Sequence, residues 1–467
     1  MHNNDEPVMK NIICLLLDRL HIGCLGPYGN TEIETPAINA LAAGSLLADR
    51  FYVDTPNVPL LCRSWWRGLH VLAQNDAPTI MSRLNAAGYK TVLVTDDPAI
   101  AYCEDAYDFS EVLLLPDSGN ETPCDEIEQT HLCSALATIA ETAESLTQSG
   151  SPYLLWCQLR GFDAGWDFPL FLREKYCGED DPTPYRNVTP PFYMKADTCR
   201  NEMCDNDETP LSPESWDDLL QSVRSAYSGG VTMFDELLEM LTEPLGQGDF
   251  GDETLFLLAG SRGVLFGECG MIGIPPYHLP QPSTIEPLAS SLVQVPLIVR
   301  FPDGFGATVR TDTLLQPADI AQLLCEWLEL PSADDAPNSP NAIHACRNML
   351  DLIREEPQNL RECFVIVSTI DHEANVPATC CLVTPSWFLQ ELALLKDDHS
   401  QEVPSSLAER YALYVKPDDR WDVNNVCDRC IEVVEQLVEV QADLQKRLAV
   451  NDDSPLEPLP ENLRVRY

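Results

Sequence analysis

Basic side chains are scarce in this chain. Its 467 residues hold 29 Lys and Arg against 74 Asp and Glu, a formal net charge of −45. A surface of that sign repels nucleic acid and anionic membranes, so neither is expected as a partner. It also disfavours sulfate and phosphate esters at long range, unless a local basic pocket overrides it. Long apolar runs are missing too. No stretch approaches the roughly 18 residues that a membrane-spanning helix needs. The segment Met1 to Glu6 is polar and acidic, and the apolar run after Lys10 is short and has no small-residue cleavage site, so no signal peptide is expected. Cysteines number 18 and are mostly scattered. Only Cys427/Cys430 and Cys199/Cys204 have metal-like spacing, and neither has a second pair or a His cluster, which argues against a zinc site. The expectation is a cytoplasmic protein with reduced thiols.

What is present reads as a large globular chain, 45% hydrophobic. The run Ile12–Leu17 stops at Asp18, which reads as a buried parallel strand with an acidic side chain at its C-terminal end, where ligands bind in open α/β sheets. Residues 35–44 read as a helix with Pro early and Gly at its end, and 51–54 as a short strand. The turn 55–68 is expected to lead into a helix from Arg67. Strands are expected at 91–95, 152–159, 254–259 and 295–300, and helices at 125–148, 215–245 and 318–328. Strands alternating with helices predict an α/β fold, with a mostly parallel sheet flanked by helices over residues 1–330. Residues 160–213 read as a long Pro-rich covering loop. Residues 331–342 read as a linker, 343–450 as a small C-terminal antiparallel sheet plus helix, and 451–467 as a loose tail. The helix over 430–449 is strongly amphipathic and is expected to cover that sheet, with a protein partner surface as the alternative.

Several segments together resemble the sulfatase family of the alkaline phosphatase superfamily. They are Asn11–Asp18, Gly23–Asn30, Thr35–Ala42, Phe51–Val53 with Thr55-Pro56, Leu84–Thr91 and Val295–Pro302, in the family's order and spacing. Leu413 to Cys427 resembles the family's C-terminal sheet. The resemblance implies that fold. It also implies a divalent metal, usually calcium, on several oxygen ligands, a Cys or Ser nucleophile in a Cys/Ser-x-Pro-x-Arg motif, and Lys and His that bind sulfate and protonate the leaving group.

Matched position by position, those parts are largely replaced. The acidic pair after the first strand is Asp18-Arg19, so Asp18 is the only retained ligand position. The nucleophile falls on Val58, the motif's Pro on Leu60 and its Arg on Cys62. A shifted reading makes Cys62 the nucleophile, but it loses the Pro and places Arg67 one residue late. The family's Lys and His after the second strand fall near Asp96 and Pro98. The later metal positions are Ser261 and Arg262, and the late His is Cys269. No lysine occurs between Lys195 and Lys396, and His278 has no aligned counterpart. The expectation is a sulfatase relative that has lost sulfuric ester hydrolysis. Its old cleft is expected to hold Asp18, Arg19, Asp54, Val58, Cys62, Arg63, Arg67, Asp96, Ser261 and Arg262, with no metal or other cofactor. Its arginines either bind a small anion or pair with Asp18, Asp54 and Asp96. The alternative is a working hydrolase of sulfate or phosphate esters with a rearranged, calcium-bearing site.

Overall fold

The computed structural model describes residues 10–464 except 74–76, 118, 192–193, 196–212, 246–250, 252, 275–287, 331–348, 355–360, 369, 372–375, 378, 393–405 and 453–456. His278, Cys199, Cys204 and the expected linker lie outside the described residues. Among the described residues no helix is long and apolar enough to cross a membrane.

The central sheet grows from β1 (Asn11–Asp18), whose eight residues are all buried. An apolar run without alternation suits a strand covered on both faces. Around it lie β2 (Leu46–Ala48), β3 (Lys90–Thr95), β4 (Glu111–Leu114), β5 (Tyr153–Leu159), β6 (Thr254–Arg262), β7 (Leu297–Arg300) and β8 (Arg310–Thr311). The order across the sheet is β8-β2-β7-β6-β1-β5-β3-β4. The run from β6 to β4 is parallel, and β7 is antiparallel to both its neighbours. The mostly parallel α/β sheet expected from the sequence is thus present. All the parallel strand ends that matter here open on one edge.

Two local readings differ. Residues 51–54 make only isolated bridges, from Phe51 to Leu315 and Tyr52 to Gln294. The strand lies earlier, at β2, whose pairing with β7 satisfies Leu46–Ala48. Likewise, residues 55–68 are not a turn before a helix. They contain α1 (Val58–Arg67) itself. Asn57 caps it by accepting from the Leu60 N–H, Pro59 sits where its missing N–H costs nothing, and Gly68 closes it at φ +67°. The helix buries Leu61, Cys62, Trp65 and Trp66 on one face. The Trp rings meet Trp156 of β5 edge-on, with centroids 5.8 and 6.2 Å apart.

The described part of 160–191 covers the core. Trp166 and Phe168 are buried, and the fully buried Arg173 donates to the carbonyls of Phe168, Tyr185 and Asn187. The C-terminal strands β9 (Phe364–Val367), β10 (Cys380–Val383), β11 (Trp387–Glu391) and β12 (Tyr411–Val415) form one antiparallel sheet. Side chains alternate between two cores. Phe364, Ile366 and Phe388 enter the large central core, while Val365, Val367 and Leu389 enter a second one. The helix α2 (Ile431–Ala449) covers that second core with Val434, Leu437, Leu444 and Leu448. The tail differs from expectation. Leu459 and Leu463 are buried in the same core, and Trp387 donates to the Asn462 carbonyl at 3.1 Å. Spaced apolar residues in a Pro- and charge-rich stretch were enough to dock it.

Candidate functional site

The site forms where β1, β3, β5 and β6 end. Along β1 and β6, Leu17 faces Gly260 and Asp18 faces Arg262. Ser261 is therefore the extra residue of a bulge, which re-aims the side chain that follows it. Arg262 turns onto Asp18 as a fork, with Nε to Oδ1 and Nη2 to Oδ2 both at 2.8 Å. Such paired charge-assisted bonds are the strong arrangement for this pair. Arg262 Nη1 also reaches the Pro56 carbonyl at 3.3 Å, which ties the strand ends to the segment just before Val58.

Asp163 completes the cluster. It lies in the single turn Gly161–Asp163 after β5, paired with Arg19 and 3.6 Å from Arg262 Nη2. Two guanidinium groups thus share two carboxylates. Arg19 reaches this position with φ +59°, in the left-handed region that only glycine enters freely. Burial pushes the Asp163 carboxyl up, but Arg19 and Arg262 outweigh that and hold it below the usual carboxylate range. Burial pushes Asp18 upward, and the Arg262 guanidinium works against it.

A second cluster sits beside the first. Asp96 follows β3, accepts from the Arg160 backbone N–H at 2.7 Å and lies 2.8 Å from His131 Nε2. The hydrogen bond to Asp96 raises the His131 imidazole above its ordinary value, against the opposing effect of burial. Arg160 Nε is 3.7 Å from the same carboxylate.

Of the sequence-derived site residues, Asp18, Arg19 and Arg262 converge, with Val58 two residues beyond the Pro56 contact. Asp96 lies in the adjoining cluster. The rest serve other contacts. Pairing with an arginine is one of the two readings for Asp54. Asp54 accepts instead from the Ser64 hydroxyl and from the Val71 N–H at 2.9 Å, because α1 folds back across it. Arg67 is held by Asp105 at 2.9 Å and donates to the Ala77 carbonyl at 2.8 Å. Arg63 is half-buried on α1. Cys62 is buried, donates to the Val58 carbonyl at 3.5 Å, and lies 3.8 Å from Gln158 Oε1. Burial raises its thiol well above the ordinary value, the opposite of what a nucleophile needs. Ser261 is fully buried and its hydroxyl has no hydrogen-bond partner. Asp163, Arg160 and His131 were missed. Asp163 carries the same signal as Asp18, an acid just past an apolar strand, but the Pro-rich stretch that follows hid it.

A divalent cation does not fit these residues. Both Asp18 oxygens are engaged by Arg262, a cation stands at position 19, and Ser261 is the extra residue of the bulge, opposite no residue of β1. Hard cations need several convergent oxygens, and a guanidinium already fills the charge requirement of Asp18. Among the described residues no group of three or more His, Cys, Asp or Glu could hold a metal ion.

Comparison with solved structures supports the architecture. A phosphonate monoester hydrolase of Agrobacterium radiobacter superposes with a TM-score of 0.67 at 15% identity, covering 97% of this chain and 100% of its own. A phosphonate monoester hydrolase from Silicibacter pomeroyi gives 0.65 at 15%, covering 95% and 96%. A putative sulfatase from Bacteroides thetaiotaomicron gives 0.64 at 15%, covering 98% and 97%. At such identities the likeness speaks for fold alone. No curated protein sequence matches. The sequence profile of the sulfatase family, however, matches residues 10–330, about two thirds of the chain. With the sheet, its strand ends and the C-terminal sheet all in place, the chain belongs to the sulfatase family.

Proposed function

We propose that this sulfatase-family protein binds through its old cleft and does not hydrolyse sulfate or phosphate esters there. The observation that carries the reading is the Arg262 fork on Asp18, an internal cation bonded to the one retained metal-ligand position. Hydrolysis in this family's manner needs a metal and an activated nucleophile together. Val58 offers no nucleophilic atom, and burial raises the Cys62 thiol well above its ordinary value. The cleft is left with two guanidinium groups, which Asp18 and Asp163 already partner. Arg19 is 9% exposed, and its Nε and Nη1 have no hydrogen-bond partner. Buried donors of that kind suit a small anion, such as sulfate or a carboxylate, bound without metal. The test combines calorimetry with sulfate and calcium and an assay on a generic aryl sulfate and a phosphonate monoester. Sulfate binding that Arg19→Gln abolishes, with no stoichiometric calcium and no turnover, is the expected outcome. Stoichiometric calcium with turnover overturns the reading in favour of a rearranged hydrolase.

A further inference from the structure

On the far side of the Arg19 peptide lies a cavity of about 760 Å³, lined by none of the cleft residues. The Tyr227 hydroxyl forms the wall between them, donating to the Arg19 carbonyl and accepting from the His21 N–H at 2.9 Å. Among the side chains that line it are Cys24, His21 and Glu268. Cys24 Sγ is 3.8 Å from His21 Nδ1, within reach of a sulfur hydrogen bond. On the other side of the ring, Nε2 is 3.8 Å from Glu268 Oε1. The Gly23 N–H donates to Nδ1 at 3.0 Å, so in the neutral ring Nδ1 keeps its lone pair and the proton sits on Nε2, toward the carboxylate. His21 is 5% exposed and Nε2 has no hydrogen-bond partner. Trp421 stacks on the ring at 5.5 Å and holds its plane. Glu268 is fixed in turn by the Phe266 N–H at 2.6 Å. A thiol, an imidazole within reach of it and a carboxylate 3.8 Å beyond therefore stand in sequence, beside a space large enough for a small molecule.

We propose that Cys24, His21 and Glu268 form a second site, which accepts an acyl group from a small thioester. His21 Nδ1 takes the thiol proton, giving up the Gly23 bond, and Glu268 faces the imidazolium that results. The Cys24 thiolate attacks the carbonyl carbon. The carbon–sulfur bond to the leaving thiol then breaks, and that thiolate takes the proton from His21. The product is an acyl–Cys24 thioester and a free thiol, with no net oxidation. A thioester donor is specified because exchange of one thioester for another is close to balanced in energy. The site is independent of whether the neighbouring cleft hydrolyses anything.

Cys269 supplies an internal control. It lines the same cavity and is more exposed than Cys24, and partial desolvation by its surroundings, with nearby Asp422 and Glu268, pushes its thiol up to about 11. The reduced full-length chain is labelled with limiting iodoacetamide at neutral pH, then denatured, counter-labelled and mapped by mass spectrometry. Cys24 is expected to react about tenfold faster than Cys269 despite its lower exposure, as an imidazole-activated thiol does. His21→Gln is expected to remove that advantage while leaving Cys269 unchanged. If that variant does not fold, Glu268→Gln must slow Cys24 relative to Cys269. Incubation with an N-acetylcysteamine acyl thioester should place the acyl group on Cys24 and not on Cys269. Equal alkylation of the two thiols, or an acyl group found on Cys269 or on neither, overturns the proposal.

Discussion

Removing the Arg262 guanidinium leaves the buried Asp18 carboxylate with no guanidinium bonded to it and Asp163 with Arg19 alone. Breaking a buried pair on one side costs about 3–5 kcal/mol, because the surviving charge has no compensation. Arg262→Ala is expected to lose that much in denaturant unfolding. Asp18→Asn combined with Arg262→Leu should lose much less, since both charges go together. A single variant as stable as the parent would mean the fork contributes nothing. The neighbouring His131 gives a test with a defined sign. Its folded-state value is raised by Asp96, so the stability it adds is fully present below the unfolded value of about 6.5 and is lost as pH rises through the higher folded value. Its imidazole resonances should therefore titrate above about 6.5, and in Asp96→Asn the midpoint should fall back toward that value. Unchanged titration in that variant would remove Asp96 as the cause. Asp18 and Arg262 were legible from sequence, because an apolar run ending on a charge marks a strand end. Their fork was not, because it depends on the one-residue bulge at Ser261, which moves Arg262 to the face of Asp18. Asp54 was misread for a related reason. Its partners Ser64 and Val71 are near in sequence, and only the path of α1 brings them back.

At the scale of elements, the segment 55–68 shows how a helix escapes a pattern-based reading. Its apolar residues are dense, and Pro59 argues against a helix unless it falls in the first turn. Asn57 supplies the cap that puts it there. The C-terminal sheet raises a sharper question, since the sequence reads it as a separate unit after a linker. Strict alternation along β9 sends every second side chain into the central core. A sheet that supplies half of its side chains to another core is not expected to unfold alone. Leu437→Ala, in the core under α2, should cost about 2–5 kcal/mol, the usual range for a buried Leu. That loss should appear as one shifted transition by both far-ultraviolet circular dichroism and tryptophan fluorescence. A separate early transition in the variant, with the central sheet still folded, would restore the two-unit reading.

For the whole molecule, the net charge of −45 acts on every experiment that adds ions. Self-repulsion among so many carboxylates destabilises the compact state, and salt screens it. Between about 0.01 M and 0.1 M salt the Debye length falls from about 30 Å to about 10 Å. The melting temperature is therefore expected to rise over that interval without any specific binding. Calcium will raise it further, because a divalent ion screens more strongly and associates loosely with acidic patches. That rise would imitate a bound metal and must be separated from one. A site of the family's kind would bind calcium at Asp18, would prefer it to magnesium on grounds of coordination number, and would vanish with the carboxylate. General screening has none of those properties. The expectation here is that calcium and magnesium at matched ionic strength stabilise the protein equally, and that the rise produced by calcium is the same in Asp18→Asn as in the parent. A calcium-specific increment that Asp18→Asn abolishes would show that Arg262 yields its place to a metal, and with it the cleft would regain its claim to hydrolysis.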